Sequence, residues 1–178
     1  ILTGIITPHN AAGYSGGRKS LVPGVAGFET IRIHHSAPIR PLEPVMGRIQ
    51  GNSFHEEAIA GARLADTDFI LNVVKNTAGE ISEVVAGDLE QAHEQGVIAC
   101  EKAWKVAFDQ RFDIVVVSPG NYPKDINLHQ AQKAMSAAEQ VIAENGVMIL
   151  VAECRDGVGK FGRWLREANH PQEVIDHF

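Results

Sequence analysis

Apolar and polar positions along this chain alternate between strand-length runs and helix-spaced stripes. Ile1 to Ile6 is an apolar run that stops at Thr7-Pro8, and a glycine-rich turn, Gly13-Tyr14-Ser15-Gly16-Gly17, then delivers Arg18 and Lys19. After Pro23-Gly24 the pattern predicts a helix carrying His34 and His35. Pro38, Pro41 and Pro44 interrupt the stretch from Ala37 to Gly51, which is expected to be an extended connector. Ser53-Phe54-His55-Glu56 reads as a capping box with Ser53 at the helix start, and Ala58, Ile59, Ala62 and Ala65 recur at helical spacing to near Asp66. Phe69 to Val74 is nearly continuous in apolar residues, as in a strand covered on both faces. Thr77-Ala78-Gly79 reads as a turn into a second strand, Ile81 to Val85, making a hairpin. Asp88 is placed to cap a helix running to about Phe108, on which His93 reads as structural.

Asp109-Gln110-Arg111 interrupts the pattern. Phe112 to Val117 reads as a buried strand ending in the turn formers Ser118-Pro119-Gly120-Asn121-Tyr122-Pro123. Leu128 to Ala143 predicts a helix ended by Asn145-Gly146, and Val147 to Val151 another buried strand. This order predicts a second α/β unit with a parallel sheet. The expected fold class is therefore α/β, parts of two α/β units with mainly parallel sheets and a ligand cleft between them, divided as 1–108 and 109–178. Ligands of such sheets lie beyond the carboxyl ends of the strands, where both the Pro8-to-Lys19 loop and the Ser118-to-Lys133 segment fall. Gly157, Gly159 and Gly162 have dinucleotide-fingerprint spacing, but no acidic residue follows at the required distance. A short helix to about Ala168 and a last one starting at Pro171 complete the chain.

Composition narrows the functional classes. A net charge of −6 gives no electrostatic case for nucleic acid, and no apolar run is long enough to span a membrane. The two cysteines, Cys100 and Cys154, fit reduced thiols and hence a cytoplasmic protein. The chain begins inside an apolar strand without Met and ends without a polar tail, so it is expected to be a piece of something longer.

The chemistry gathers in residues 1–36. A strand leading through glycines into a helix exposes backbone N–H groups that attract anions, so Ser15, Gly16 and Gly17 are expected to hold a phosphate, with Arg18 a charge partner. A P-loop is excluded, because Arg18 stands where its second glycine belongs. A tight turn requiring positive φ explains Gly16-Gly17 equally well. What raises the loop above a turn is the company of His9, Lys19, His34 and His35 on one short stretch.

These residues resemble the nickel-dependent lactate racemases and their 2-hydroxyacid racemase and epimerase relatives. The resemblance rests on Pro8-His9, on Gly13 to Lys19 followed by Pro23-Gly24, and on His35-Ser36. It continues through Gly51-Asn52 with His55-Glu56-Glu57, Phe69 to Val74, Ala86-Gly87-Asp88, Ala92-His93 and Asn127 to Ala134. It implies that residues 1–108 are the C-terminal part of an N-terminal cofactor-binding domain and 109–178 part of a C-terminal α/β domain. The implied activity is racemisation of a small 2-hydroxyacid by hydride transfer to and from a nickel-pincer nucleotide, since no side chain accepts hydride. By resemblance Lys19 tethers the cofactor, His35 ligates nickel, and His9 is one of two histidines that exchange the hydroxyl proton. Gln130 and Lys133 line the substrate, Lys133 pairing its carboxylate. His129 departs from the family's tyrosine and puts the identity of the hydroxyacid in doubt. The second acid/base histidine and a substrate arginine belong to a segment earlier than this chain, so the fragment alone is expected to be inactive.

Two other classes compete with this reading. A phosphate- or nucleotide-binding module without redox chemistry needs only the glycine loop and leaves Lys19, His35 and Lys133 without a joint purpose. A zinc hydrolase using His9, His34 and His35 needs two ligands on one helical face and a carboxylate base, and no His-Glu-x-x-His occurs. Adjacent on a helix, His34 and His35 diverge by about 100°.

Overall fold

The opening apolar run forms β1 (Leu2–Ile6), and the chain then folds into a short antiparallel ribbon of β2 (Pro8–His9) and β3 (Gly13–Tyr14). The glycine turn closes as a single 3-10 turn over Gly17–Ser20, not as an α-helix. Helices α1 (Phe28–His34) and α2 (Ser53–Leu64), strands β4 (Ile70–Lys75) and β5 (Ile81–Gly87), and helix α3 (Gln91–Trp104) follow. This computed structural model describes all residues except 38, 42, 160, 161, 171 and 174–178. Pro38 of the connector, Phe161 of the glycine-rich tail and Pro171 therefore lie outside the described residues. The chain forms two units, Ile1–Ala107 and Phe108–Phe178.

In the first unit β4 is central, parallel to β1 and antiparallel to β5. The parallel pair requires a crossover, which the 3-10 turn, α1 and α2 supply. The turn at 76–79 makes the expected hairpin: Asn76 Oδ1 accepts the Glu80 N–H at 3.0 Å. Helix α3 packs on β4 and β5, and Ile6, Tyr14, Val74, Val85, Val97 and Cys100 form one core cluster between them. A second cluster, Ile59, Ala62, Ile70, Leu89 and Ala92, joins α2 to the other end of the sheet.

Three expectations for this unit are corrected. β4 is covered on one face only: Ile70, Asn72 and Val74 are buried while Leu71 is exposed, because α3 covers one side. The cap of α2 is Asn52, whose Oδ1 accepts the N–H groups of Phe54 and His55 at 3.1 and 3.3 Å. Ser53 instead donates its hydroxyl to the Ile39 carbonyl at 2.6 Å, tying down the connector. Helix α3 ends at Trp104, four residues before Phe108; Asp88 does brace its entry, accepting from the Glu90 and Gln91 N–H groups.

The second unit pairs β6 (Phe112–Val117) in parallel with β7 (Ile142–Leu150). Between them Asn127 caps α4 (Leu128–Ala131), which continues through a 3-10 turn (Gln132–Ala134) into α5 (Met135–Ala138). The long helix expected to Ala143 is thus three short turns. Asn145-Gly146 lies inside β7 and does not end a helix: Asn145 has φ 62° and the register against β6 shifts there. A Cβ at Gly146 would lie 3.0 Å from the Asp113 carbonyl oxygen, so the bulge needs glycine where the two backbones approach. Nor is β6 buried on both faces, since Ile114 and Val116 are exposed. The tail contains α6 (Gly162–Glu167), and the Gly157 carbonyl accepts the Leu128 N–H at 3.0 Å. Gly157 and Gly159 thereby pack against the entry to α4, a structural use of the fingerprint spacing. Among the described residues no helix is long and apolar enough to cross a membrane.

Candidate active site

The glycine loop is hydrogen-bonded to the strands beneath it. Ser15 donates its hydroxyl to the Ile5 carbonyl at 2.7 Å and accepts the Thr7 N–H at 2.9 Å. The Gly17 N–H is given to Asn72 Oδ1 at 2.7 Å. Gly16 has φ 80°, and a Cβ there would lie 2.5 Å from Asn72 Oδ1 and 2.7 Å from Ile6 Cγ1, so only glycine fits. Ser15 and Gly17 therefore serve the fold of the loop and do not offer these groups to a phosphate.

Arg18 differs from its expected role in the same way. It is fully buried, and its guanidinium donates to the carbonyls of Ala12 (2.9 Å), Tyr14 (2.8 Å) and Gly16 (3.3 Å) and to His93 Nε2 (2.6 Å). Burial lowers its proton affinity to about 9, which leaves it charged at neutral pH. His93 Nε2 also lies 2.9 Å from the Ser15 carbonyl oxygen, so that nitrogen is held between a guanidinium that only donates and a carbonyl that only accepts. Burial and then the Arg18 charge push His93 down to about 3, and the same causes push His55, whose ring lies 6.1 Å from that of His93, to about 4.

Lys19 turns the other way. Its ammonium lies 5.5 Å from the centroid of the Phe54 ring, in cation–π range, and Phe54 is fully buried at the start of α2. His34 and His35 meet the same ring, at 3.8 and 5.0 Å between centroids. His35 is the C-cap of α1, and its ring stands edge-on to that of His34 with centroids 5.3 Å apart. His34 is buried and donates Nε2–H to the Phe54 carbonyl at 2.9 Å, a structural role. His35 donates Nδ1–H to the Ile31 carbonyl at 2.9 Å, which leaves the Nε2 lone pair as its acceptor. Burial lowers the proton affinity of both histidines against the opposing hydrogen bonds, and the Lys19 charge lowers it further.

His9 connects to the group through its neighbours. Its Nδ1 accepts the N–H groups of Ala11 and Ala12 at 3.2 and 3.1 Å, and both alanines pack on Phe54. The neutral ring therefore carries its hydrogen on Nε2, and taking up a proton at Nδ1 requires the 9–12 turn to release its amides. Of the residues singled out in the sequence, Lys19 and His35 converge on one ring, His9 is joined to that ring through two alanines, and Arg18 lies behind the loop.

In the second unit, α4 and the turn after it present Gln130 and Lys133 on one side, with Lys133 Nζ donating to Gln130 Oε1 at 2.7 Å. His129 is half-buried on α4, its Cβ 3.2 Å from where a side chain on Gly159 would begin.

Four residues of this constellation carried no functional weight in the sequence. Phe54 is the ring the site is built on, Asn72 and Asn52 anchor loops to strands and helix, and His93 receives Arg18. Asn72 had a signal, since a polar residue in an apolar strand must find a hydrogen-bond partner. Phe54 had none, because an aromatic in a first helical turn is ordinarily core.

Residues 108–178 match the family described as the lactate racemase C-terminal domain, and residues 1–46 the lactate racemase N-terminal domain. The chain is similar to a lactate racemase from Thermoanaerobacterium thermosaccharolyticum, 39% identical over 181 residues that cover 99% of this chain and 42% of the relative. A lactate racemase from Lactiplantibacillus plantarum is also 39% identical, over 180 residues with the same coverage. The lactate racemase apoprotein structure from T. thermosaccharolyticum superposes with a TM-score of 0.90 at 38% identity, covering 98% of this chain and 42% of that one. A Thermotoga maritima protein shares the fold at a TM-score of 0.56 and 19% identity, over 71% of this chain and 33% of that one. The chain thus spans 42% of the length of the two curated relatives.

Proposed function

The chain belongs to the lactate racemase family, and we propose that within its full-length protein it inverts a small 2-hydroxyacid by hydride transfer at a nickel-pincer nucleotide. One observation carries the reading. Lys19 and His35 share the Phe54 ring, and His35 is in the tautomer a metal ligand needs, Nδ1–H on a backbone carbonyl and Nε2 as lone pair.

The donor set fits such a group. Among the described residues no three of His, Cys, Asp and Glu gather as a metal site, as a protein-held zinc ion would require. One imidazole and one amine on a shared ring instead suit a metal that arrives with most of its own ligands. When bound, the nucleotide supplies the electrophile that takes hydride from the substrate carbon and returns it. Lys19 would carry the covalent tether and His35 Nε2 would hold the metal, its imidazole kept neutral by burial. His9 would move the hydroxyl proton, with the ring becoming imidazolium when the 9–12 turn releases Nδ1 to be protonated. Lys133, oriented by Gln130, would meet the substrate carboxylate, with His129 beside them setting which hydroxyacid is accepted.

The loop geometry weighs against a plain phosphate-binding module, because the Ser15 hydroxyl and the Gly17 N–H are already engaged within the fold. The 178-residue chain by itself should not racemise, since it spans only 42% of the relatives' length. The test is intact mass and nickel content of the full-length protein produced with the enzymes that make the nucleotide. A mass increment with nickel, absent in Lys19→Ala, is expected. An unmodified wild-type protein without nickel would overturn the reading.

A further inference from the structure

Arg18 and Lys19, neighbours in sequence, leave the same 3-10 turn in opposite directions, one toward His93 and the other toward Phe54. We infer that Arg18 is the positioning residue of Lys19: a buried guanidinium that aims the lysine amine by gripping the carbonyl groups of the loop that carries it. The inference rests on the reading of Lys19 as the tether.

The grip is complete at the end of the side chain. Four hydrogen bonds leave the two terminal nitrogens, three to the alternate carbonyls of residues 12, 14 and 16 and one to His93 on α3. The Gly16 oxygen is the link to Lys19, because it accepts both Arg18 Nη1 at 3.3 Å and the Lys19 backbone N–H at 3.2 Å. The direction in which Lys19 leaves the backbone is thus set by an oxygen that Arg18 holds. The other side of the turn is fixed by Gly17 N–H on Asn72, independently of Arg18, and by the His93 ring against Gly17, where a Cβ would come within 3.1 Å of His93 Cδ2.

A buried cation is a costly way to fill a core, and an apolar side chain of similar volume would serve compactness as well or better. What a guanidinium adds is directional: planar, charge-assisted donors hold several acceptors in one geometry at once. That is the property a tethering lysine needs from its support, since misplacement of a reacting group by about 1 Å can cost on the order of a hundredfold in rate. A lysine at position 18 would keep the charge and lose the fork.

The experiment uses full-length protein produced with the nucleotide-making enzymes, as wild type, Arg18→Lys, Arg18→Met and His93→Leu. Two readouts are taken on the folded fraction: the share of molecules with the Lys19 mass increment, and amide hydrogen exchange of the peptide spanning 13–21 compared with peptides of α2 and β4. Arg18→Lys is expected to lower the modified share by at least about tenfold and to speed exchange in the loop alone. His93→Leu, which removes one of the four acceptors, should fall between it and wild type. A folded Arg18→Lys protein with the wild-type share and wild-type loop exchange overturns the inference. So does a loss of modification that only tracks a loss of folded protein or faster exchange everywhere. If neither Arg18 variant folds, His93→Leu decides, and an unchanged modified share there counts against it. No increment in wild type would remove the tether reading and this inference together, whereas an increment that survives in every folded variant removes only this inference.

Discussion

His35 donates its Nδ1 hydrogen to the carbonyl oxygen of Ile31, 2.9 Å away and one helical turn back. The bond closes the end of α1 and fixes the tautomer in one contact, turning the Nε2 lone pair away from the helix. Replacing His35 by Ala removes the metal donor without touching Lys19. The full-length variant should keep the Lys19 mass increment while nickel per tethered molecule falls by about tenfold or more, read by mass spectrometry and elemental analysis. Full nickel occupancy in His35→Ala would show that the metal is held elsewhere.

His9→Gln keeps a side chain able to hydrogen-bond but cannot exchange a proton. Turnover of the loaded full-length enzyme should fall by about 10² to 10⁴, the range a general acid or base contributes. Tether and nickel content should stay at wild-type values. Turnover within a few-fold of wild type would reduce His9 to a hydrogen-bond acceptor for the Ala11 and Ala12 amides.

Phe54 is fully buried and touches Lys19, His34, His35, Ala11 and Ala12. Phe54→Ala should therefore cost about 3–5 kcal/mol of unfolding free energy, within the range for a truncated core aromatic, and Phe54→Leu clearly less. Urea unfolding of the two variants measures it. Equal stability of Phe54→Ala and wild type would mean that the ring is not the centre of this region.

Acid should destabilise the first unit through His93 and His55. Both are held neutral in the folded chain, with proton affinities pushed to about 3 and about 4, and both return to the ordinary value of 6.5 on unfolding. Between those values the unfolded state binds more protons, so stability is complete above 6.5 and is lost as pH falls through the window. The slope is at most about 1.4 kcal/mol per pH unit for each group. Urea midpoints at about pH 7.5 and about pH 5 should differ in wild type and differ less in His93→Leu, which lacks one of the two titrating rings. A pH dependence unchanged by His93→Leu would place the acid-sensitive groups elsewhere.

Strand and helix placement in the first unit was legible because the local signals agreed: the β1 run, the turn before β5, and the stripe of Ala58, Ile59 and Ala62. The misreadings came where two local signals competed for one residue. Ser53 and Asn52 both suit a helix cap, and Asn52 won because its side-chain N–H also reaches the Ala11 and Arg48 carbonyls. Asn145-Gly146 suits a helix end and a bulge equally, and only the approach of β7 to the Asp113 carbonyl made it a bulge. In the site, His9, Lys19 and the His34-His35 pair stood out by type on one short stretch, the resemblance chose His35, and Arg18 could be picked out but not aimed.

The amino-acid order alone determined the main strands and helices of the first unit, the glycine where positive φ is required, and the short stretch on which an amine and three imidazoles occur together. Those are local properties, set by a residue's own backbone preference and its near neighbours. Tertiary packing decided the rest: that Arg18 faces His93 and Lys19 faces Phe54, and that a ring thirty-five residues after Lys19 joins it to His35. The direction of a side chain in a turn depends on which carbonyls and rings lie within a few ångströms. Residues far apart in sequence supply those neighbours here, His93 on α3 and Asn72 on β4, so no local pattern around residue 18 carries that information.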